Sequence, residues 1–295
     1  MTEPRSDSGV PAFWQALGLP GIIDVHVHFM PPRLMSAVWA YFDRAGPLIG
    51  GEWPIRYRDS EEERLAFLRG LGVRAFTSLV YPHRPGMAES LNAWAAGFAA
   101  RVPECIQTAT FFPEPGVEDY VARALETGAR IVKVHLQVGG FDPRAKELDP
   151  VWGMLADAGV PALVHAGSGP VANGYTGPGP FGEVLDRHPR LTTIVAHMGA
   201  PEFDGFFALA DRHDRVHLDT TMTFTRFHEL GAFPPELLPR LRDLGLEGRI
   251  FFGTDFPNIP YEYAHQLEAL AALGFGDDWL RTVCWDGPAA FFGLS

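Results

Sequence analysis

Short apolar, β-branched runs bounded by turn residues alternate along this chain with longer stretches whose apolar residues recur at i, i+3 and i+4. The first kind predicts strands buried on both faces and the second amphipathic helices, so their alternation predicts parallel β/α units. Strands are expected at 22–28, 73–81, 106–112, 130–137, 160–165, 192–197, 215–220 and 249–255, eight in all. Helices are expected at 33–44, 61–71, 87–101, 117–127, 150–158, 181–187, 202–212, 235–244 and 261–273, with a last helical segment at 277–292. Gly128 and Gly159 follow two of these helices, where left-handed backbone costs glycine little.

Eight such units in 295 residues fit one α/β domain, a (β/α)8 TIM barrel. A doubly wound sheet of this length would show fewer strands and a glycine-rich fingerprint, and no GxGxxG or GxxxxGK[ST] directly follows any strand. Residues 1–20 are expected as an N-terminal extension and 21–295 as the barrel domain. Between the first two helices, residues 46–60 form a polar, aromatic insert punctuated by Pro and Gly. Loops that follow strands lie on the catalytic face of a barrel, so this insert is either a lid or a surface loop.

The first strand reads Ile22-Ile23-Asp24-Val25-His26-Val27-His28. Alternation places Asp24, His26 and His28 on one face and the aliphatic residues on the other, which sends the histidines inward at the strand's C-terminal end. Other strands also end in ligand-type residues just before a turn: His165 (LVHAGSG), His197 (IVAHMGAP) and Asp255 (FFGTDFP), with Lys133 and His135 on the fourth (IVKVHLQ). Each taken alone reads as a hydrogen-bonded buried histidine or a loop-capping Asp. Together, imidazoles and a carboxylate converging on one barrel face are a donor set for a divalent metal.

Charge and composition narrow the partners. Lys plus Arg number 24 against 36 Asp plus Glu, and the net charge of −12 repels nucleic-acid phosphates and anionic membranes. No apolar run is long enough to span a bilayer and the N-terminus has no signal-peptide core, so a soluble cytoplasmic protein is expected. Cys105 and Cys284 have no CxxC spacing and read as reduced, packed thiols. Lys133 and Lys146 are the only lysines, which draws attention to a lysine among the strand-end histidines.

HxH at the end of the first strand, His after the fifth and sixth strands and Asp after the eighth resemble the amidohydrolase superfamily of metal-dependent barrel enzymes. The long loop after the first strand, with HAG, AHMG and GTDFP, is similar to the amidohydrolase-related branch that contains aminocarboxymuconate-semialdehyde decarboxylase and related lyases, hydratases and hydrolases. The resemblance spans about residues 20–292 and specifies no substrate. It implies that His26, His28, His165 and Asp255 bind one metal, with His197 as general acid/base. Asp255 would then serve twice, as a ligand and as a proton acceptor. An imidazole with an unperturbed pKa near 6.5 suits proton exchange near neutrality. Three imidazoles and a carboxylate suit zinc best, while manganese, iron, cobalt or nickel can fill such sites.

Several assignments stay open at the level of sequence. In binuclear relatives a lysine placed like Lys133 is carboxylated and bridges two metals, whereas this branch is usually mononuclear. His135 is a pocket wall, a support for a ligand or a core histidine. His217 and Asp219 share a face of the seventh strand as inward polar packing or support. Arg84 is the arginine named for a substrate carboxylate, with Arg56, Arg58 and Arg226 on other loops. Trp53, Tyr57, Tyr81 and Phe29 are an aromatic wall or simply core. The expected activity is hydrolysis of a small ester, lactone or amide by metal-activated water. The alternatives are non-oxidative decarboxylation of an unsaturated or aromatic acid and, more remotely, a metal-binding barrel without catalysis. A homodimer is expected from the resemblance alone.

Overall fold

The structure, a computed structural model, describes residues 3–49, 51–225 and 232–294. Its strands are β1 (Ile22–Asp24), β2 (Val73–Thr77), β3 (Cys105–Ile106), β4 (Thr108–Thr110), β5 (Ile131–His135), β6 (Ala162–His165), β7 (Thr193–Val195), β8 (Val216–Asp219) and β9 (Ile250–Phe251). Each overlaps an expected strand, but most are shorter at the C-terminal end, and the third is split into β3 and β4. The residues lost from the ladders are those that turn into loops, among them His26, His28, His197 and Asp255.

Residues 77–218 form one compact unit, and the chain on either side of them forms the other. In the first of these, β4, β5, β6, β7 and β8 pair in parallel in chain order. Ile131, Val132, Val134, Ala162, Leu163, Val164, Ile194, Val195, Val216 and Leu218 are all buried, as strands covered on both faces require. The register pairs His135 with His165. Helices Ala88–Arg101, Val117–Glu126, Asp149–Ala158, Pro178–Arg187 and Phe203–Arg212 separate the strands.

In the flanking unit β1 pairs in parallel with β2. Beyond Asp24 the chain continues as extended backbone and is tied to the segment after β9. Val25 N–H donates to Phe252 O, Asp255 N–H to His26 O and His28 N–H to Phe256 O, around an isolated parallel bridge between Val27 and Phe256. Glycine at 253 permits this approach, because a Cβ there would lie 2.8 Å from the His26 Cβ. The helix Glu61–Leu71 starts and stops by sequence signals: Ser60 and Glu63 form a capping box, and Gly72 ends it in left-handed backbone.

Two features depart from the expected pattern. The helix begun at Pro32 runs through Gly46 and Pro47 to Ile49, into the segment expected as an insert, and residues 51–59 then lie outside helix and strand. A proline near the end of a helix removes one amide hydrogen bond without preventing the final turn. Within the expected N-terminal extension, Val10–Ala16 is a helix that buries Val10 and Phe13, and Leu17 and Leu19 beyond it are buried too. Asp7 fastens this segment by accepting from Tyr57 Oη at 2.6 Å and from the amide of Ala264 at 2.9 Å. Among the described residues no helix is long and apolar enough to cross a membrane.

Candidate metal centre

His26, His28 and Asp255 converge in the flanking unit, with one donor atom from each lying within 4.8 Å of the others. His28 Nε2 is 2.6 Å from Asp255 Oδ1, and His26 Nε2 is 3.6 Å from the same oxygen. The other nitrogen of His26, Nδ1, lies 2.9 Å from Asp219 Oδ2, and Asp219 is fully buried. A carboxylate on Nδ1 fixes the proton there and turns the Nε2 lone pair toward Asp255. Two imidazoles and an oxygen donor at this spacing fit a divalent ion, and the buried carboxylate behind one ring is the support such ligands need.

The backbone at this group is strained. Asp255 has φ 69°, one of four non-glycine residues with positive φ among those described. Left-handed backbone at such a residue costs about 1 to 3 kcal/mol and persists where surrounding contacts dictate it. Asp24, on β1, is also fully buried, and its carboxylate accepts from His26 N, Thr254 Oγ1 and Tyr263 Oη at 3.1, 2.6 and 2.9 Å. Burial pushes this carboxyl up to about 7, against the lowering effect of those donors.

The unit of residues 77–218 holds a second group of rings. His135 and His165, paired across β5 and β6, stack with centroids 4.1 Å apart and planes 12° apart. His197 meets His165 edge-on at 4.9 Å, and the Tyr81 ring lies 4.9 Å from His135. His165 Nε2 is 2.9 Å from Gly169 O, so this nitrogen carries the proton and Nδ1 is the acceptor. His135 Nδ1 accepts from the amide of Val138. His197 has φ 54° and Met198 φ 52°, a sharp left-handed turn at the end of β7. Glycine at 167, in the HAG motif, lets this turn pack closely, because a Cβ there would lie 2.3 Å from Ala200 O. Lys133 is fully buried on β5, where its carbonyl accepts from Thr110 Oγ1.

The residues named for substrate are more dispersed. Trp53 is buried and its indole N–H donates to Asn258 O at 2.6 Å. Tyr57 is packed against Phe67 and Phe256, and Phe29 against Phe76. Arg56 pairs with Glu262 and Arg58 with Asp43, so both insert arginines are engaged by carboxylates. Arg84 is exposed, and Arg226 lies outside the described residues. His217 is half-buried beside Arg215 O, whereas Asp219 on the same strand is buried against His26. Both cysteines are free, and burial pushes each thiol up to about 12.

Sequence reading gave no role to Asp24, Thr254 or Tyr263. Alternation placed Asp24 on the face of the two histidines, and the Thr of GTDFP sits beside the metal-type Asp. That adjacency was the available signal, because nothing in a sequence pairs residues separated by some 230 positions.

Among solved structures the chain is similar to a TIM-barrel protein from Bordetella bronchiseptica, at 19% identity and TM-score 0.73, covering 93% of this chain and 99% of that one. It is also similar to an Acinetobacter baumannii protein assigned as a 2-pyrone-4,6-dicarboxylic acid hydrolase with citric acid bound. That likeness is 12% identity and TM-score 0.60 over 92% and 99% of the two chains. A third likeness, at 16% identity and TM-score 0.63 over the whole of both chains, is to 5-carboxyvanillate decarboxylase from Novosphingobium aromaticivorans. That protein is complexed with manganese and 4-hydroxy-3-methoxy-5-nitrobenzoic acid. These likenesses establish the fold as an α/β TIM barrel. No curated protein matches the sequence. The amidohydrolase family model matches residues 23–294, and the chain belongs to that family.

Proposed function

We propose that this chain is a metal-dependent hydrolase of small molecules, with residues 21–295 as its catalytic domain. Its substrate would be an ester, lactone or amide, possessing a carboxylate in the simplest case. The observation that carries the reading is the group of His26, His28 and Asp255, with the Asp219 carboxylate behind His26. The motif resemblance adds His165 as the fourth ligand and His197 as the residue that moves the proton. A divalent ion held there supplies positive charge that polarises a substrate oxygen and acidifies water. His197 would give the proton to the leaving group, and Asp255 would take one from the attacking water. Imidazole-rich donors favour zinc, and the manganese of the decarboxylase neighbour makes that ion the first alternative.

The same donors serve decarboxylation, and the likeness to 5-carboxyvanillate decarboxylase supports that second reading. The deciding experiment incubates the zinc- and manganese-loaded protein with lactones, esters and unsaturated or aromatic carboxylic acids, following both product and CO2. Turnover of a lactone or ester without CO2, abolished in His28→Ala, is the expected result. Release of CO2 from a carboxylic acid, also lost in His28→Ala, would replace hydrolysis by decarboxylation. Turnover unaffected by His28→Ala would reject both.

A further inference from the structure

The His26, His28 and Asp255 group draws its donors from two stretches of chain far apart in sequence, and Asp24 touches both. One carboxylate oxygen, Oδ1, accepts from the backbone amide of His26 at 3.1 Å. The other, Oδ2, accepts from the Thr254 hydroxyl at 2.6 Å and from the Tyr263 hydroxyl at 2.9 Å. Thr254 Oγ1 in turn accepts from the amide of Phe256 at 3.1 Å. The hydroxyl therefore reaches from residue 254 to residue 256 across Asp255, the residue held at φ 69°. The Thr254 carbonyl is held separately by Gln266 Nε2 at 2.6 Å, so the side-chain bonds are an additional restraint on this turn.

We propose that Asp24 is a positioning residue for the metal group. Its carboxylate sets the His26 backbone and, through Thr254, keeps Asp255 in the left-handed conformation that points its side chain at the two imidazoles. The inference rests on the reading of His26, His28 and Asp255 as metal ligands, and assigns Asp24 no contact with the ion. Three donors to one carboxylate define its orientation, and Asp24 adds a side-chain tie to the backbone hydrogen bonds that already join the two segments. Thr254 is the relay, because its hydroxyl can give its single proton to Asp24 while its lone pairs take the Phe256 amide. Tyr263 contributes less, since its loss leaves the link from Asp24 to Asp255 intact.

The test compares zinc dissociation constants, measured by competition with a chromogenic chelator, for the full chain and for Asp24→Asn, Thr254→Val, Thr254→Ser and Tyr263→Phe. Melting of the metal-free forms is recorded alongside. Asp24→Asn and Thr254→Val are expected to weaken zinc binding by about tenfold to a hundredfold, the usual effect of losing a group that orients a ligand. Thr254→Ser restores the hydroxyl and is expected to bind within about threefold of the unaltered chain, with Tyr263→Phe between the two extremes. Zinc affinity that is unchanged in folded Asp24→Asn and Thr254→Val would overturn the inference while leaving the ligand assignment standing. So would affinity in Thr254→Ser as weak as in Thr254→Val. Should Asp24→Asn fail to fold, the pair at position 254 decides by itself. His28→Ala separates the two claims: zinc binding as tight as in the unaltered chain would remove the metal group, and the positioning role with it.

Discussion

The two histidine groups of this protein are organised by different partners. In the flanking unit, His26 and His28 are set against the carboxylates of Asp219 and Asp255, and Asp24 accepts from the His26 amide. In the unit of residues 77–218, His135, His165 and His197 are set by ring stacking, by strand register and by main-chain groups at Gly169 and Val138. Imidazoles facing carboxylates make a site that attracts a cation, and the supporting carboxylate fixes which nitrogen stays unprotonated. Ring packing and main-chain hydrogen bonds orient an imidazole as well, as at His135 and His165. The contrast is one of local partners and not of ligands against proton carriers, because the proposed ligand His165 and the proposed proton carrier His197 lie together in the second group.

The comparison breaks most visibly at a ligand. His28→Ala or Asp255→Ala should leave little metal on the purified protein by elemental analysis, and activity should fall by more than about 10⁴, beyond what loss of a proton carrier alone costs. Full occupancy in either variant would mean that the carboxylate-facing group is not the metal group. In the other group, His197→Asn should retain most of the metal while kcat falls by about 10² to 10⁴. Loss of metal in step with activity would make His197 a ligand and not the proton carrier.

The carboxylates of the first group also give the metal-free protein a characteristic pH dependence. Asp24 has its folded pKa raised from 3.8 to about 7 by burial. The folded state therefore binds this proton more tightly than the unfolded state, and the contribution is fully present below about pH 4. It is lost as pH rises toward 7, by up to about 4 kcal/mol at 1.36 kcal/mol per pKa unit. Urea unfolding of chelator-treated protein should show stability declining from pH 4 to pH 7, with a shallower decline in Asp24→Asn. Parallel profiles for the two proteins would show that Asp24 is not the group that titrates.

Asp219→Asn sharpens the same contrast with a smaller effect. The amide keeps the shape of the side chain but no longer supplies the negative charge that holds the His26 Nδ1 proton. Metal affinity should weaken by about tenfold to a hundredfold, measured by chelator competition. An unchanged affinity would show that His26 is oriented by its backbone alone.

Much of this architecture was legible in the sequence for physical reasons that differ by element. Strands such as β5 and β6 read clearly because parallel strands buried on both faces need continuous apolar runs. The helix Glu61–Leu71 read to the residue because Ser60, Glu63 and Gly72 carry start and stop chemistry. The helix Val10–Ala16 did not, since seven residues give too little periodicity to separate it from an extension. The persistence of the helix from Pro32 past Pro47 was hidden by a residue that normally signals a stop. At the candidate site, HxH and GTDFP marked the donors, but local sequence holds no record of the left-handed turns at His197 and Asp255. The pairing of His26 with Asp219 depends on neighbours 193 positions apart, and only the folded chain reveals it.

The smallest expected effect lies at Lys133, which decides whether the chain holds a second metal. This lysine is fully buried on β5, two residues before His135, with its Cα opposite Leu163 of β6 and Thr110 of β4. In a binuclear site its amine would carry CO2 as a carbamate and bridge two ions about 3.5 to 4 Å apart, with His165 and His197 on the second. On the proposed reading the chain instead holds one metal, with His26, His28, His165 and Asp255 as its ligands and Lys133 unmodified. Lys133→Met keeps the length and apolar stem of the side chain and removes the only atom able to form a carbamate. One metal per chain is therefore expected in both the unaltered protein and the variant, with no carbamate carbon resonance after exposure to labelled bicarbonate. Two metals per chain in the unaltered protein, falling to one or none in Lys133→Met, would show that a carbamate on Lys133 holds a second ion.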